Sequence, residues 1–291
     1  MRDRVSAVLA FGVVSSVAAS WTLAHGPGLP EAGPAVGSFA SGDPPPRGVV
    51  TPGAVVRLFN GKDLTGLTTW LKDTKRDDPR KVFRVDDGLL HITGDGFGYV
   101  ATREAYRDYR LIVEYKWGER TDGGKSVRNS GILLHATSRD GGSDGVWTAS
   151  VECQLAQGCV GDLIPIPGKD ADGAEVPVRF TADVALGPDR RPRWSKGGAT
   201  RVFTGGQLWW SRHDPDFKEL LDTRGRHDAE SPLGEWTRVE CVCDGGRVTV
   251  LVNGQAVNQC HDAAPAAGRI LLQSEGFELF VRRFELHPLT K

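Results

Sequence analysis

Residues 236–259, WTRVECVCDGGRVTVLVNGQAVNQ, decide the fold class of this chain. Apolar and β-branched residues alternate with polar ones in three short segments, and the breaks between them are Asp244-Gly245-Gly246 and Asn253-Gly254. These turn residues adopt the positive φ values that tight β-hairpins require. The stretch therefore predicts three consecutive antiparallel strands, at Trp236–Cys243, Arg247–Val252 and Gln255–Gln259.

The same pattern extends in both directions from this stretch. Short segments rich in β-branched and aromatic residues recur between turn residues, and few have the spacing of an amphipathic helix. The 37 Gly and the single Met also disfavour a helix bundle. We therefore expect an all-β, antiparallel β-sandwich with further strands at Ala54–Phe59, Val82–Val85, Leu89–Ile92, Tyr109–Trp117, Gly131–His135, Ser150–Leu155, Ile270–Gln273 and Leu279–Leu286.

The middle of the chain, between Ala156 and Leu233, has a looser pattern. Gly, Pro and charged residues interrupt it, and Val178–Val184 is one of its few brief strand candidates. A structureless stretch of this length is uncommon inside a compact domain. We expect it to contain further strands and to form part of the wall of a binding site.

The N-terminal residues have the pattern of a secretory signal peptide. Arg2 and Arg4 precede an apolar segment, Val5–Ala19, that is shorter than the roughly 20 residues needed to span a bilayer. We expect a signal peptide over residues 1–24, a flexible linker rich in Pro, Gly and Ala over 25–52, and one domain over 53–291. The mature protein would then be periplasmic or secreted, and a retained membrane anchor is the alternative.

The charge of the chain is nearly balanced. Lys and Arg total 36 and Asp and Glu total 37, a net charge of −1. No overall field attracts nucleic acid or anionic lipid. We therefore expect no nucleic-acid partner and, once a signal peptide is removed, no stable insertion in a membrane.

The sequence does not determine how the five cysteines pair, because the number is odd and spacing does not fix disulfide connectivity. One or two disulfides are one interpretation, and Cys153–Cys159 is the local candidate. The alternative is a zinc role for Cys241, Cys243 and Cys260, although their spacing matches no common zinc pattern.

Several motifs occur in an order that resembles one known family. They are Leu58–Gly66 followed by Trp70, then Tyr106–Leu111, Asn129–Ile132, Val151–Gln154, Gly234–Trp236, Leu272–Gly276 and Val281–Phe284. Together they make the chain similar to the 3-keto-disaccharide hydrolase family over about Val55 to Leu289. The last motif departs from the family at Arg283, where Asn is usual, and the middle segment aligns loosely.

The resemblance implies a fold and an activity. The fold is a concanavalin-like jelly roll, with a laminin-G-like arrangement of two antiparallel sheets whose concave face holds a carbohydrate. The activity is cleavage of glycosides that carry a ketone at C3, by hydrolysis or by removal of the C2 proton, β-elimination and hydration. Such a site needs a base, a donor for the enediolate oxygen and an acid for the leaving group.

Glu152 and His135 are the candidate catalytic residues. Glu152 matches the family motif and alternates with Gln154 along one strand face, where an apolar environment would raise a carboxyl pKa. A structural carboxylate is the alternative. His135 ends the preceding strand and would titrate near neutral pH, and its alternative is an ordinary core or surface histidine.

Further residues are candidates for binding the sugar. Asn129 and Ser130 either hydrogen-bond sugar hydroxyls or hold the turn before the strand. Arg139 either stabilises an enediolate oxygen or is solvated. For Gln273 and Glu275 a site role competes with a turn role, and the turn is favoured for Glu275. The full set of predicted substrate-binding residues is Asn129, Ser130, Gln154, Arg139, Trp147, Trp70 and Gln273.

The sequence predicts no cofactor, and a metal site stays open. Asp63 lies in an oxygen-rich turn that leaves calcium as an alternative, whereas the loops at Asp122 and Asp140 lack the acidic spacing of a known calcium loop. The expected partner is a carbohydrate substrate. The alternative function is a non-catalytic, lectin-like carbohydrate-binding module, because the same fold serves both roles.

Overall fold

The computed structural model describes residues 48–290. The predicted signal peptide and residues 25–47 of the predicted linker lie outside the described residues. Val49–Val50, at the end of that linker, form a short strand in the structure. None of the described residues forms a helix long and apolar enough to cross a membrane.

The described residues contain β-strands and no helix. In chain order the strands are β1 (Val49–Val50), β2 (Val56–Arg57), β3 (Leu67–Leu71), β4 (Phe83–Asp86), β5 (Leu89–Ile92), β6 (Phe97–Thr102), β7 (Ala105–Tyr106), β8 (Tyr109–Trp117), β9 (Gly131–Ala136), β10 (Ser150–Gln154) and β11 (Leu163–Ile166). They continue as β12 (Gly168–Lys169), β13 (Glu175–Val176), β14 (Arg179–Leu186), β15 (Pro192–Trp194), β16 (Ala199–Phe203), β17 (Thr237–Asp244), β18 (Arg247–Val252), β19 (Gln255–Ala264), β20 (Arg269–Glu275) and β21 (Leu279–Pro288).

Two large antiparallel sheets make up most of the domain, beside two two-stranded sheets, β1-β7 and β12-β13. The six-stranded sheet has the order β11-β10-β9-β20-β6-β3. The eleven-stranded sheet has the order β15-β14-β19-β18-β17-β8-β21-β5-β4, with β16 added at β14 and β2 at β21. The predicted all-β sandwich is confirmed, and the loose middle segment supplies the strands β11 to β16.

The predicted hairpins are present in the meander that the opening stretch encodes. Asp244 pairs with Arg247, and Val252 pairs with Gln255, so each connection has two residues. Gly245, Asn253 and Gly254 have φ values of 55°, 49° and 81°. These left-handed conformations match the twist of the flanking strands.

The core lies between the two sheets. Ile132 and Val151 of the six-stranded sheet belong to one buried cluster with Val113, Val239 and Val250 of the eleven-stranded sheet. Because side chains alternate along a strand, the residues between these core positions point away from the sandwich. We call the surface that they form on the six-stranded sheet the outer face.

Candidate functional site

Glu152 lies on the outer face because of the alternation along β10. Its neighbours Val151 and Cys153 are fully buried in the core between the sheets. Glu152 therefore points the other way, yet only 6% of it is exposed to solvent. The sheet places a carboxyl group in a nearly water-free position without pairing it to a cation in the described structure.

Gly131 provides the space that Glu152 fills. It lies at the start of β9 and pairs with Gln154, which is two residues beyond Glu152 along β10. A methyl group at Gly131 would overlap both the Oε1 atom of Gln273 and the Oε1 atom of Glu152. The missing side chain thus lets two polar groups from different strands meet above the backbone.

Gln273 connects Glu152 to the neighbouring strand β20. Its side chain meets that of Glu152 above Gly131 and opposes the rise in the pKa of Glu152, and only 1% of Gln273 is exposed. The Gln273 Oε1 atom is buried and has no hydrogen-bond partner among the described residues. Since an unpaired buried acceptor is costly, this oxygen is suited to receive a hydrogen bond from a bound ligand.

Glu275 supplies a second carboxyl group on the same face, two residues beyond Gln273. Burial, and then the negative charge of Glu275, raise the pKa of Glu152 well above its usual range. Burial also raises the pKa of Glu275. Two carboxyls in such an environment resist carrying two negative charges together, so the pair retains a proton at pH values where ordinary carboxyls are ionised.

Two predicted binding residues lie just before β9 and at the end of β10. Asn129 precedes Gly131 by two positions, and its Oδ1 atom is buried with no partner among the described residues. The Oε1 atom of Gln154 accepts hydrogen bonds from the backbone N–H groups of Leu155 and Ala156, at 2.9 and 3.0 Å. Gln154 therefore closes the end of β10, whereas Asn129 keeps a buried acceptor without a partner among the described residues.

An aromatic part of the outer face lies beside the polar part. Trp70 and Trp147 pack against a buried cluster that contains Tyr99, Leu133 and Leu271. The Nε1 atom of Trp70 is buried without a partner among the described residues. Both tryptophans predicted to bind sugar therefore lie on the face that carries Glu152.

Asp140 fixes the loop that carries Trp147. It accepts hydrogen bonds from Tyr99 Oη at 2.7 Å, Arg269 Nη2 at 2.6 Å and Arg76 Nη2 at 2.7 Å. Burial opposes ionisation of Asp140, but the charge and hydrogen bonds of Arg269 outweigh it, and the pKa is lowered. The result is a charged anchor between the loop and strands β6 and β20.

The chain matches the model of one protein family, described as the 3-keto-alpha-glucoside-1,2-lyase-like domain, over residues 54–287. It belongs to this family. The match confirms the resemblance drawn from the ordered motifs. No curated protein sequence matches the chain.

Solved structures with a similar arrangement come from several sources. Two from Parabacteroides distasonis, each described as a candidate glycosyl hydrolase, have 18% and 16% identity and TM-scores of 0.46. Their matches cover 81% of this chain and 94% and 99% of theirs. A carbohydrate-binding module from Bacillus subtilis has 10% identity and a TM-score of 0.38, over 76% of this chain and 94% of its own.

His135 lies away from the pair of glutamates, although simple alternation would place it beside Leu133 on the outer face. A β-bulge in β9 sets two residues of that strand against one of β20, and His135 has a φ of 55°. The bulge turns its ring inward, where it contacts Tyr109 with the ring centroids 5.6 Å apart. Burial lowers the pKa of His135 to about 4, so it is a neutral core histidine.

Two other predicted binding residues have different surroundings in the structure. Ser130 is buried, and its hydroxyl donates to the carbonyl oxygen of Gln273 at 3.0 Å. It thus holds β20 in position instead of facing a ligand. Arg139 is exposed, and within residues 48–290 its side chain forms no hydrogen bond or ion pair.

The five cysteines form no disulfide in the structure, and the described residues contain no candidate metal cluster. All five cysteines are buried and unpaired. Cys159 lies in a separate small cluster with Val127 and Ala156, so the expected local disulfide with Cys153 is not formed. Among the described residues, no group of three or more His, Cys, Asp or Glu side chains is arranged to hold a metal ion.

The sequence favours a turn role for Glu275 over a site role. In the structure β20 continues to Glu275, and the turn begins at Gly276. The alternation of Gln273 and Glu275 within Leu-Gln-Ser-Glu was the signal that could have placed both side chains on one face.

Proposed function

We propose that this protein cleaves glycosides of 3-keto sugars by removing the C2 proton and expelling the oxygen at C1, after which water adds to the enone. The observation that carries the proposal is the Glu152–Glu275 pair on the outer face of a chain that belongs to this family. The family description, which names a 1,2-lyase-like domain acting on a 3-keto glucoside, supports elimination between C1 and C2.

The C3 ketone explains why a carboxylate is an adequate base. It acidifies the C2–H bond, because the electron pair left at C2 delocalises onto the C3 oxygen as an enediolate. Glu152 takes the proton, the C1–O bond breaks, and the leaving oxygen takes a proton from an acid. A carboxylate with a raised pKa is a stronger base than an ordinary one, which brings it closer to the acidity of this proton.

The neighbouring groups supply the remaining functions. The pair enters the reaction with one proton, and for Glu152 to act as the base that proton has to sit on Glu275, which donates it to the leaving oxygen. Gln273 orients Glu152 through its amide N–H and keeps its Oε1 atom available for a sugar hydroxyl. Asn129 offers a second free acceptor, and the polar groups are preorganised by the sheet, which avoids reorganisation during the reaction.

The proposal is tested by incubating the protein with a 3-keto-glucoside in D2O. We expect release of the aglycone and deuterium at C2 of the recovered sugar. Glu152→Gln removes the base and should lower kcat at least 100-fold. Glu230→Gln is the matched control, because Glu230 is an equally buried carboxyl that accepts from Tyr115 and Trp117 away from the outer face.

Two results would overturn the proposal. One is an intact substrate with the folded wild-type protein, and the other is full activity of Glu152→Gln. Saturable binding of glycans without turnover, unchanged by Glu152→Gln, would identify the protein as a carbohydrate-binding module instead.

A further inference from the structure

Two cysteines face each other across the core of the sandwich. Cys153 lies on β10 of the six-stranded sheet, and Cys241 lies on β17 of the eleven-stranded sheet. Both side chains point into the core cluster, and neither is exposed to solvent. The Cys153 thiol and burial raise the pKa of Cys241, so the two thiols lie near each other between the sheets.

The other cysteines are arranged differently. Cys243 shares the strand and the face of Cys241, two residues away. Cys260 lies on β19, which is separated from β17 by β18. Cys159 belongs to a separate cluster. Cys153 and Cys241 are therefore the pair that joins one sheet to the other.

We propose that Cys153 and Cys241 form an inter-sheet disulfide when the chain folds in an oxidising environment. Each thiol loses a proton, and the two electrons pass to a disulfide oxidant such as oxidised glutathione, which is released as two thiols. Because both side chains are buried in the finished fold, the bond forms during folding, while the two strands are still accessible.

The cross-link has consequences for stability and for the candidate site. It closes a loop of about 90 residues, for which chain-entropy models give a large stabilisation. It also ties β10 to the opposite sheet directly behind Glu152, which is the residue before Cys153. The oxidised protein should therefore hold its candidate base more rigidly than the reduced protein.

The test compares protein refolded with oxidised and reduced glutathione against protein kept fully reduced. Peptide mapping without reduction should find the Cys153 and Cys241 peptides joined, with Cys159, Cys243 and Cys260 alkylated as free thiols. The midpoint of thermal unfolding should rise by about 10 °C on oxidation.

Single variants separate the cross-link from simple core packing. Cys153→Ala and Cys241→Ala should both abolish the difference in Tm between oxidised and reduced protein. Cys243→Ala, on the same strand and face as Cys241, should preserve it while lowering both Tm values. The Tm difference is the readout, so a general loss of stability from truncating a buried side chain does not affect the outcome.

Three results would overturn the proposal. The first is alkylation of all five thiols after oxidative refolding. The second is a cross-link that joins a different pair, and the third is a redox-dependent Tm that persists in Cys241→Ala. If a variant fails to fold, the peptide map of the wild-type protein alone decides the question.

Discussion

Replacing Gly131 by Ala should inactivate the protein while leaving its fold in place. The added methyl group would overlap the Oε1 atoms of Gln273 and Glu152. Both atoms are at the ends of side chains, so they can move aside, whereas the backbone at Gly131 needs no left-handed conformation. The substitution therefore displaces the candidate base without straining the sheet.

The magnitudes follow from two opposing effects on stability and one on activity. Overpacking a buried site costs about 1–3 kcal/mol, and the lower entropy of the unfolded chain on changing Gly to Ala returns about 0.4–1 kcal/mol. The net loss is then between about 0 and 2.6 kcal/mol. A displacement of about 1 Å at the reacting group lowers the rate on the order of 100-fold.

The assay measures kcat/KM on a 3-keto-glucoside together with the Tm of each variant. Gly205→Ala is the control, because a Cβ at Gly205 would meet no atom within 4 Å. We expect Gly205→Ala to match the wild-type protein in both measurements. Wild-type kcat/KM in a folded Gly131→Ala protein would refute the view that this close approach positions Glu152.

Three further predictions concern charge and burial. Burial raises the pKa of Glu230 to about 7 and that of Asp162 to about 8, so the stability that each contributes is complete below its unfolded pKa near 4 and is lost as pH rises through 7 to 8. Urea unfolding between pH 5 and 8 should show this decline, and Glu230→Gln should flatten it. Asp140→Asn leaves Arg269 buried without its anion, so it should lower the free energy of unfolding by about 3 kcal/mol in chemical unfolding. It should also raise KM, and an unchanged KM would contradict a role for the loop in binding substrate. His135→Leu should keep kcat within about threefold, and a collapse of kcat in a folded variant would restore His135 as a catalytic residue. Burial holds the folded-state pKa of His135 at about 4, so the variant should also lack the loss of stability that the wild-type protein shows as pH falls from 6.5 toward 4.

The predicted strands agree best with the structure where local pattern and turns are strong. Tyr109–Trp117 and Arg247–Val252 are strands with the predicted bounds. Strands β3 and β6 were not predicted, although both contain β-branched and aromatic residues, and Gly98 interrupts the pattern of β6. These two strands exist through their pairing with each other and with β20, which no local window contains.

The outer-face position of Glu152 was also readable from local alternation, whereas that of His135 was not. Val-Glu-Cys-Gln alternates apolar and polar residues, and the structure keeps that alternation in β10. In β9 the bulge adds one residue and reverses the direction of His135. A bulge depends on how two distant strands register, so alternation alone could not reveal it.

The sequence by itself determined the all-β class, the hairpins of the last third and the family, because each depends on neighbouring residues or on the order of motifs. Tertiary structure decided which groups share an environment. Glu152 and Glu275 are far apart in the chain, and only the pairing of β10 and β20 with β9 brings them to one face. Their raised pKa values come from burial, which is a property of the packed sheets and of no single segment.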